Sequence, residues 1–210
     1  MGAFITFEGP EGSGKTTQIG LLADHLRSAG HAVLTTREPG GTPIGDQIRA
    51  VLLDVNNTAM VFEAEILLFS AARAQLAGQV IRPALARGTI VLSDRYADST
   101  IAYQGYGRGL DLVALRQITA FATGGLRPDL TIYLDIPVEE GLNRKRRVVT
   151  RNAEEWNRLD QEAVEFHRRV SQGYLTLAAA EPDRWVILDA CRSIEEVQGE
   201  IQEAVQSILS

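Results

Sequence analysis

Short apolar runs alternate with longer stretches of helical period along the whole chain. Ala3–Glu8 (AFITFE) has the apolar density of a buried strand. Lys15–Ser28 follows, with Ile19, Leu22, Ala23 and Leu26 keeping the i, i+3, i+4, i+7 rhythm and Gly30 stopping it. Ala32–Thr36, Thr89–Ser93, Leu130–Leu134 and Trp185–Leu188 read as four more strands. Ile44–Leu53 and Val61–Arg87 read as helices, the second kinked or broken at Pro83. Two helical stretches separate the last two strands, and the later one places Leu159, Ala163, Phe166, Val170, Tyr174 and Leu177 on one stripe. Strands separated by helices pair in parallel through right-handed crossovers, with helices on both faces. The pattern predicts a three-layer α/β domain around five parallel strands. The charged segment Asn143–Asp160 has no apolar stripe before Leu159 and reads as an exposed flap within one domain, not as a linker.

Composition adds exclusions. Lys plus Arg number 21 and Asp plus Glu 27, a net charge of −6. An acidic chain is a poor partner for a nucleic-acid backbone, so a phosphorylated ligand has to be met by local positive charge. Cys191 is the one cysteine, which excludes an intrachain disulfide and suits a reducing compartment. The N-terminus does not read as a secretory signal, and no uncharged apolar run approaches the roughly 18 residues of a membrane span. A cytoplasmic protein without membrane partners is expected.

Gly9-Pro10-Glu11-Gly12-Ser13-Gly14-Lys15-Thr16 fits GxxxxGK[ST]. It stands between a predicted strand and a predicted helix, the context in which this loop cradles phosphates. Glycines let successive N–H groups turn inward, and the helix N-terminus adds its positive end. Lys15 can reach the β- and γ-phosphates, and the Thr16 hydroxyl can ligate Mg²⁺. A nucleoside triphosphate with Mg²⁺ is therefore the expected ligand, and the loop alone does not name the phosphate acceptor.

Val91-Leu92-Ser93-Asp94 is an apolar strand ending in an acid at the sheet edge where open α/β folds bind ligands. Asp94 there suits Mg²⁺, directly or through water, or it caps the next segment. Arg95, Tyr96, Ser99, Thr100, Tyr103 and Gln104 follow within about three helical turns, a mixture suited to a small-molecule pocket.

The run Asp94-Arg95-Tyr96-Ala97-Asp98-Ser99-Thr100-Ile101-Ala102-Tyr103-Gln104 resembles the signature of thymidylate kinases. Thr36-Arg37-Glu38-Pro39-Gly40-Gly41-Thr42 is similar to the REPGGT run of bacterial members. Leu68-Phe69-Ser70-Ala71-Ala72-Arg73, Arg158-Leu159-Asp160 and Gly173-Tyr174-Leu175 follow the same family order. The resemblance covers essentially the whole chain. It implies the three-layer α/β/α P-loop nucleoside monophosphate kinase fold, with a five-stranded parallel sheet and a LID flap at about residues 143–160. It also implies transfer from ATP, with Mg²⁺, to dTMP, and a homodimer built on the long central helices.

Residue by residue, the resemblance implies that Phe69 stacks on the thymine ring and Arg73 bonds a base carbonyl, with Gln104 near the base. The i, i+4 spacing of Phe69 and Arg73 puts both on one helix face, although a lone pair so spaced is more often core and solvated charge. Arg95 and Arg49 would clamp the acceptor phosphate with Arg37 assisting, since a guanidinium fork suits phosphate oxygens. Glu11 would contact the sugar 3′-hydroxyl, and Tyr103 would occupy the place of a 2′-hydroxyl. Ser99, Thr100 and Pro39 complete the acceptor side, and the Glu38–Pro39 bond is expected to be cis. Thr17 would extend the ATP contacts of the loop, and Arg192 would lie near adenine.

The variable loop positions Pro10, Glu11, Gly12 and Ser13 carry no cation. In thymidylate kinases lacking an arginine there, the flap supplies it. Arg144, Arg146, Arg147 and Arg151 are the candidates, against the plainer reading of a solvated helix face. Ala72 stands where many relatives carry Asp, and Ser171 where relatives often carry Arg. Competing readings are a kinase for uridylate, cytidylate or adenylate, and a nucleotide-binding regulator without turnover. His25, His31 and His167 are scattered and have no cysteine partners at zinc spacing.

Overall fold

A computed structural model describes residues 2–152 and 157–209, the side chains of 148–152 excepted. The strands are β1 (Phe4–Glu8), β2 (Val33–Arg37), β3 (Ile90–Asp94), β4 (Leu130–Asp135) and β5 (Trp185–Asp189). All pair in parallel, in the order β2-β3-β1-β4-β5. Each predicted strand is present, shortened, shifted or extended by one residue at an end.

Side chains alternate across this sheet. Ile5, Phe7, Leu92, Ile132 and Leu134 face helices α1 (Lys15–Ser28) and α9 (Ile194–Leu209) in one core layer. Phe4, Val91 and Tyr133 lie in the opposite layers with Leu76, Tyr96, Phe166, Val170 and Tyr174. α9 and α6 (Leu112–Thr123) stand outside the predicted set. Asp111 caps α6 by accepting from the amides of Val113 and Ala114, and Gly124 ends it in the left-handed region.

The predicted helix Ile44–Leu53 is α2 (Pro43–Leu53), opened by the Thr42 side chain, which accepts from Gly45 N at 2.9 Å. The Val61–Arg87 stretch is three pieces: α3 (Phe62–Leu76), a wide π-helical stretch (Ala77–Ile81) and α4 (Arg82–Ala86). The wide stretch precedes Pro83, which has no N–H with which to close an ordinary turn. Helix α5 (Ala97–Thr100) runs into a second π-helical stretch, Ile101–Gly107.

The described parts of the flap are more regular than their sequence suggests. Helix α7 spans Val138–Asn152, and Arg158–Gln161 forms a 3-10 turn held by a capping box between Asn157 and Asp160. Asp160 is buried, so the flap's far end is seated on the domain. The stripe predicted from Leu159 is also shorter than expected. Helix α8 is Val164–Ala180, with Ala163 as its N-cap and Leu159 in the preceding turn. Both sit just outside the helix, while Phe166, Val170, Tyr174 and Leu177 carry its buried face.

Candidate active site

The C-terminal ends of β2 and β3 and the loop after β1 open onto a cleft of about 2270 Å³. Its position follows from the strand order: β1 lies between β3 and β4, so the loop after β1 sits beside Asp94.

That loop curls tightly. Gly12 has φ 72°, and a Cβ there would stand 2.1 Å from Gly141 O of α7. Only glycine fits where the loop meets the flap helix backbone to backbone. Gly14, also left-handed at φ 92°, is the N-cap of α1. Glu11 through Thr17 line the cleft, whereas Gly9 and Pro10 do not. Their carbonyls instead accept from Lys15 Nζ at 3.2 and 3.0 Å, and Ser13 Oγ lies 3.4 Å from it. Burial, with Arg95 nearby, brings the Lys15 ammonium down to about 8, against the pull of Asp94, Glu11 and Glu8. Thr16 Oγ1 donates to Asp94 Oδ2 at 3.1 Å, which joins the two residues expected to hold a metal.

Arg95 is the one described non-glycine residue in the left-handed region, at φ 68°. Such a conformation costs of order 1 kcal/mol or more and persists where surrounding contacts fix it. Here Arg95 Nη2 donates to Glu11 Oε1 (2.6 Å) and Tyr103 Oη (2.9 Å), and Nη1 donates to Tyr174 Oη (3.1 Å) and Ser99 Oγ (3.4 Å). Glu11 also accepts from Lys145 Nζ at 3.2 Å. Burial opposes its ionisation, but Arg95, Lys145 and Lys15 outweigh this and hold the carboxyl well below the usual range. Beneath Arg95 lies Glu8, fully buried at the end of β1. It accepts from Tyr96 N, Ser99 Oγ and Tyr174 Oη at 2.9, 2.6 and 2.8 Å, and burial raises its pKa.

On the α3 side, Phe69 is half-buried and Arg73 is 1 % exposed, and both line the cleft. Arg73 donates to Glu38 Oε2 (2.7 Å), Thr100 Oγ1 (2.9 Å) and Tyr96 O (3.1 Å). With Ala72 offering no carboxylate, these contacts orient the guanidinium. Burial pushes Glu38 up to about 7 although Arg73 draws it down. Gln104 Nε2 donates to Glu65 Oε1 at 2.8 Å. The Glu38–Pro39 bond is cis, as expected. Arg49 Nη1 donates to Pro39 O at 2.9 Å, and exposed Arg37 lies 4.0 Å from Asp46. Arg37, Arg49 and Pro39 all line the cleft.

From the flap, Arg144, Lys145 and Arg147 line the cleft. Arg144 is tied to Glu140 (2.9 Å) and to Ala190 O (3.0 Å). Lys145 also pairs with Asp160 at 2.7 Å. Arg146 is exposed, and the Arg151 side chain and Trp156 lie outside the described residues. Arg192 is exposed at the cleft's far end, paired with Glu196 and Glu200.

The thymidylate kinase family model matches residues 7–201. The chain belongs to the thymidylate kinase family. It is 58% identical over 217 residues to a thymidylate kinase of Roseiflexus sp. (strain RS-1), covering 100% of this chain and 96% of the relative. A Deinococcus radiodurans thymidylate kinase is 56% identical over 207 residues, at 98% and 97% coverage. The crystal structure of thymidylate kinase from Ehrlichia chaffeensis superposes with a TM-score of 0.77 at 32% identity, covering 97% of this chain and 98% of that one.

In this member of the family, Glu11–Thr17 of the loop, Arg37–Pro39, Arg49, Phe69, Arg73, Asp94, Arg95, Ser99, Thr100, Tyr103 and Gln104 converge on one cleft. The sequence reading gave no role to Glu8, Glu38, Glu65, Lys145, Asp160 or Tyr174. Glu8 has a visible signal, a carboxylate closing a mostly apolar strand. Glu38, Asp160 and Tyr174 stand inside the very runs that carry the family resemblance, and Lys145 stands among the flap cations. Glu65 gives no local signal, because its partners are remote in sequence.

Proposed function

We propose that this thymidylate kinase moves the γ-phosphoryl group of ATP onto the phosphate of dTMP, giving ADP and dTDP. One observation carries this reading. The phosphate loop with Lys15, and the trio Phe69, Arg73 and Gln104, line the same cleft. The loop amides from Glu11 to Thr17 with Lys15 take the donor phosphates. Arg95 and Arg49, with Arg37 near, take the acceptor phosphate. Phe69 stacks on the base, Arg73 bonds a base carbonyl, and Gln104 bonds the base edge. Tyr103 occupies the place of a ribose 2′-hydroxyl, and Glu11 accepts from the 3′-hydroxyl. Ser99, Thr100 and Pro39 hold these groups from behind, and Arg192 lies beside adenine.

Thr16 and Asp94 offer two hard oxygens 3.1 Å apart beside the loop, a donor set that fits Mg²⁺, which takes few protein ligands and keeps several waters. Bound there, Mg²⁺ would neutralise phosphate charge. The acceptor is itself a phosphate dianion, so no strong general base is needed. Alignment and charge neutralisation do the work. Gly12 packs against Gly141 and Lys145 pairs with Glu11, contacts between loop and flap helix that support a LID of residues 143–160, within one domain, bringing an arginine to the transferring group.

A homodimer fits the surface. Leu67 and Phe121, on α3 and α6, are 60% and 89% exposed, and Val113 is 65% exposed. These apolar side chains are suited to a second copy. No described helix is long and apolar enough to cross a membrane, and the exposed free Cys191 suits a reducing cytoplasm. The proposal is tested with γ-labelled ATP. Label appears in dTDP if transfer occurs, and only in inorganic phosphate if the cleft merely hydrolyses ATP.

A further inference from the structure

Glu65 is fully buried on α3 and collects three donors from two segments, the Ile101–Gly107 stretch with its capping residue and the Arg158–Gln161 turn. Its Oε1 accepts from Gln104 Nε2 at 2.8 Å, and its Oε2 from Arg158 Nη2 at 2.6 Å and Arg108 Nη2 at 3.3 Å. Arg108 is shared with Glu162 at 2.6 Å, and its guanidinium lies over the Phe62 and Phe166 rings. Burial disfavours the charge on Glu65, but the bonds from Gln104, Arg108 and Arg158 overcome it and lower its pKa. Glu65 is thus an ionised, acceptor-only group.

A side-chain amide has a donating and an accepting end, and its partner decides which way it faces. Facing a carboxylate, Gln104 has to present Nε2. Its Oε1 is then the end left for whatever occupies the cleft that Gln104 lines. We propose that Glu65 is a positioning residue for base selection. It locks the Gln104 amide so that the pocket offers an acceptor, and it thereby favours pyrimidines with a ring N–H at that edge. Thymine has that N–H. Cytosine has a bare ring nitrogen there, and an acceptor would face an acceptor, leaving both buried and unpaired. An isosteric amide at position 65 would release the lock, since it can donate to Gln104 Oε1 and let the amide turn over.

This inference rests on the reading of Gln104 as a base contact, and the test separates the two. The wild type, Gln104→Leu and Glu65→Gln are assayed with dTMP, dCMP and N3-methyl-dTMP at saturating ATP, with kcat and KM resolved. Gln104→Leu should reduce the dTMP-over-dCMP preference in kcat/KM by about tenfold or more, the worth of one buried hydrogen bond. Glu65→Gln should reduce it comparably. The dTMP KM should rise, kcat should change little, and the KM for ATP should hold. If Gln104→Leu keeps the wild-type preference, the base-contact reading is wrong. If Gln104→Leu loses the preference and Glu65→Gln keeps it while slowing both acceptors in parallel, the positioning role is wrong. Should Glu65→Gln fail to fold, the wild type decides by NMR. A protected thymine N3 proton in the dTMP complex, with no contact from it to the Gln104 amide protons, supports the lock. A thymine N3 proton that exchanges freely in the dTMP complex overturns it.

Discussion

Glu11 Oε1 stands 2.6 Å from Arg95 Nη2, an ion pair that joins the phosphate loop to the residue after β3. The other Glu11 oxygen holds Lys145 of the flap, so one carboxylate organises cations from loop, sheet edge and flap. Its folded-state pKa is depressed below 4.5, and a depressed acid contributes stability above its unfolded pKa and loses it as pH falls toward the folded one. Glu11→Gln should therefore destabilise the protein at pH 7. The gap to wild type should narrow progressively as pH drops below about 4.3. Urea unfolding at a series of pH values measures it, and a gap independent of pH would contradict the charge assignment.

Lys15 titrates near 8 in the free protein because it is buried against its own loop. Bound phosphates would favour its charged form. ATP binding at pH 8.5 should therefore take up protons, and ATP affinity should fall as pH rises through about 8. Calorimetry in buffers of different ionisation enthalpy reads the uptake. In Lys15→Ala this uptake should vanish and turnover should drop by orders of magnitude, with folding retained.

Glu38 carries the opposite sign. Its pKa is raised from 4.5 to about 7 by burial, so its contribution to stability is complete below about 4.5 and is lost as pH rises through about 7. Across that window wild-type stability should fall relative to Glu38→Gln. Because ionised Glu38 is the carboxylate that holds Arg73, Glu38→Gln should also raise the dTMP KM at pH 8 more than at pH 6. Parallel pH profiles for the two proteins would contradict both statements.

The flap arginines are separable by single substitution to Ala. An arginine that meets the transferring phosphate is worth about 10³–10⁵ in rate, and a solvated one almost nothing. Among Arg144, Arg146, Arg147 and Arg151, at least one should lose a hundredfold or more in kcat with little change in dTMP affinity. Arg147, which reaches the cleft, is the first to test. Arg144 is already tied to Ala190 O, so its loss should act more on ATP binding. If all four stay within a few-fold, the charge comes from elsewhere. Arg158 is then a weak substitute, because Glu65 and Leu52 O already hold it.

The fold and the cleft residues were legible because they are local in sequence. Strand runs, the glycine-rich loop and the Asp94–Gln104 run each carry their own pattern. What escaped depends on pairing across the fold. Glu8 meets Tyr174 from 166 positions away, and Glu65 meets Arg158 from 93. The flap misled for a related reason. Its charged composition suggests solvent, yet Lys145 bridges Asp160 and Glu11 in a partly buried cluster. Helices α6 and α9 were passed over, although their caps and apolar spacing are present in the chain.

The acceptor profile decides which monophosphate this kinase takes. The purified protein is given ATP, Mg²⁺ and, in turn, dTMP, dUMP, UMP, dCMP, CMP and AMP, and kcat/KM is measured for each. The account predicts dTMP as the preferred acceptor, with uridylate and the ribonucleotides well behind. Comparable kcat/KM for adenylate, or no dTDP formed at saturating ATP, would contradict it.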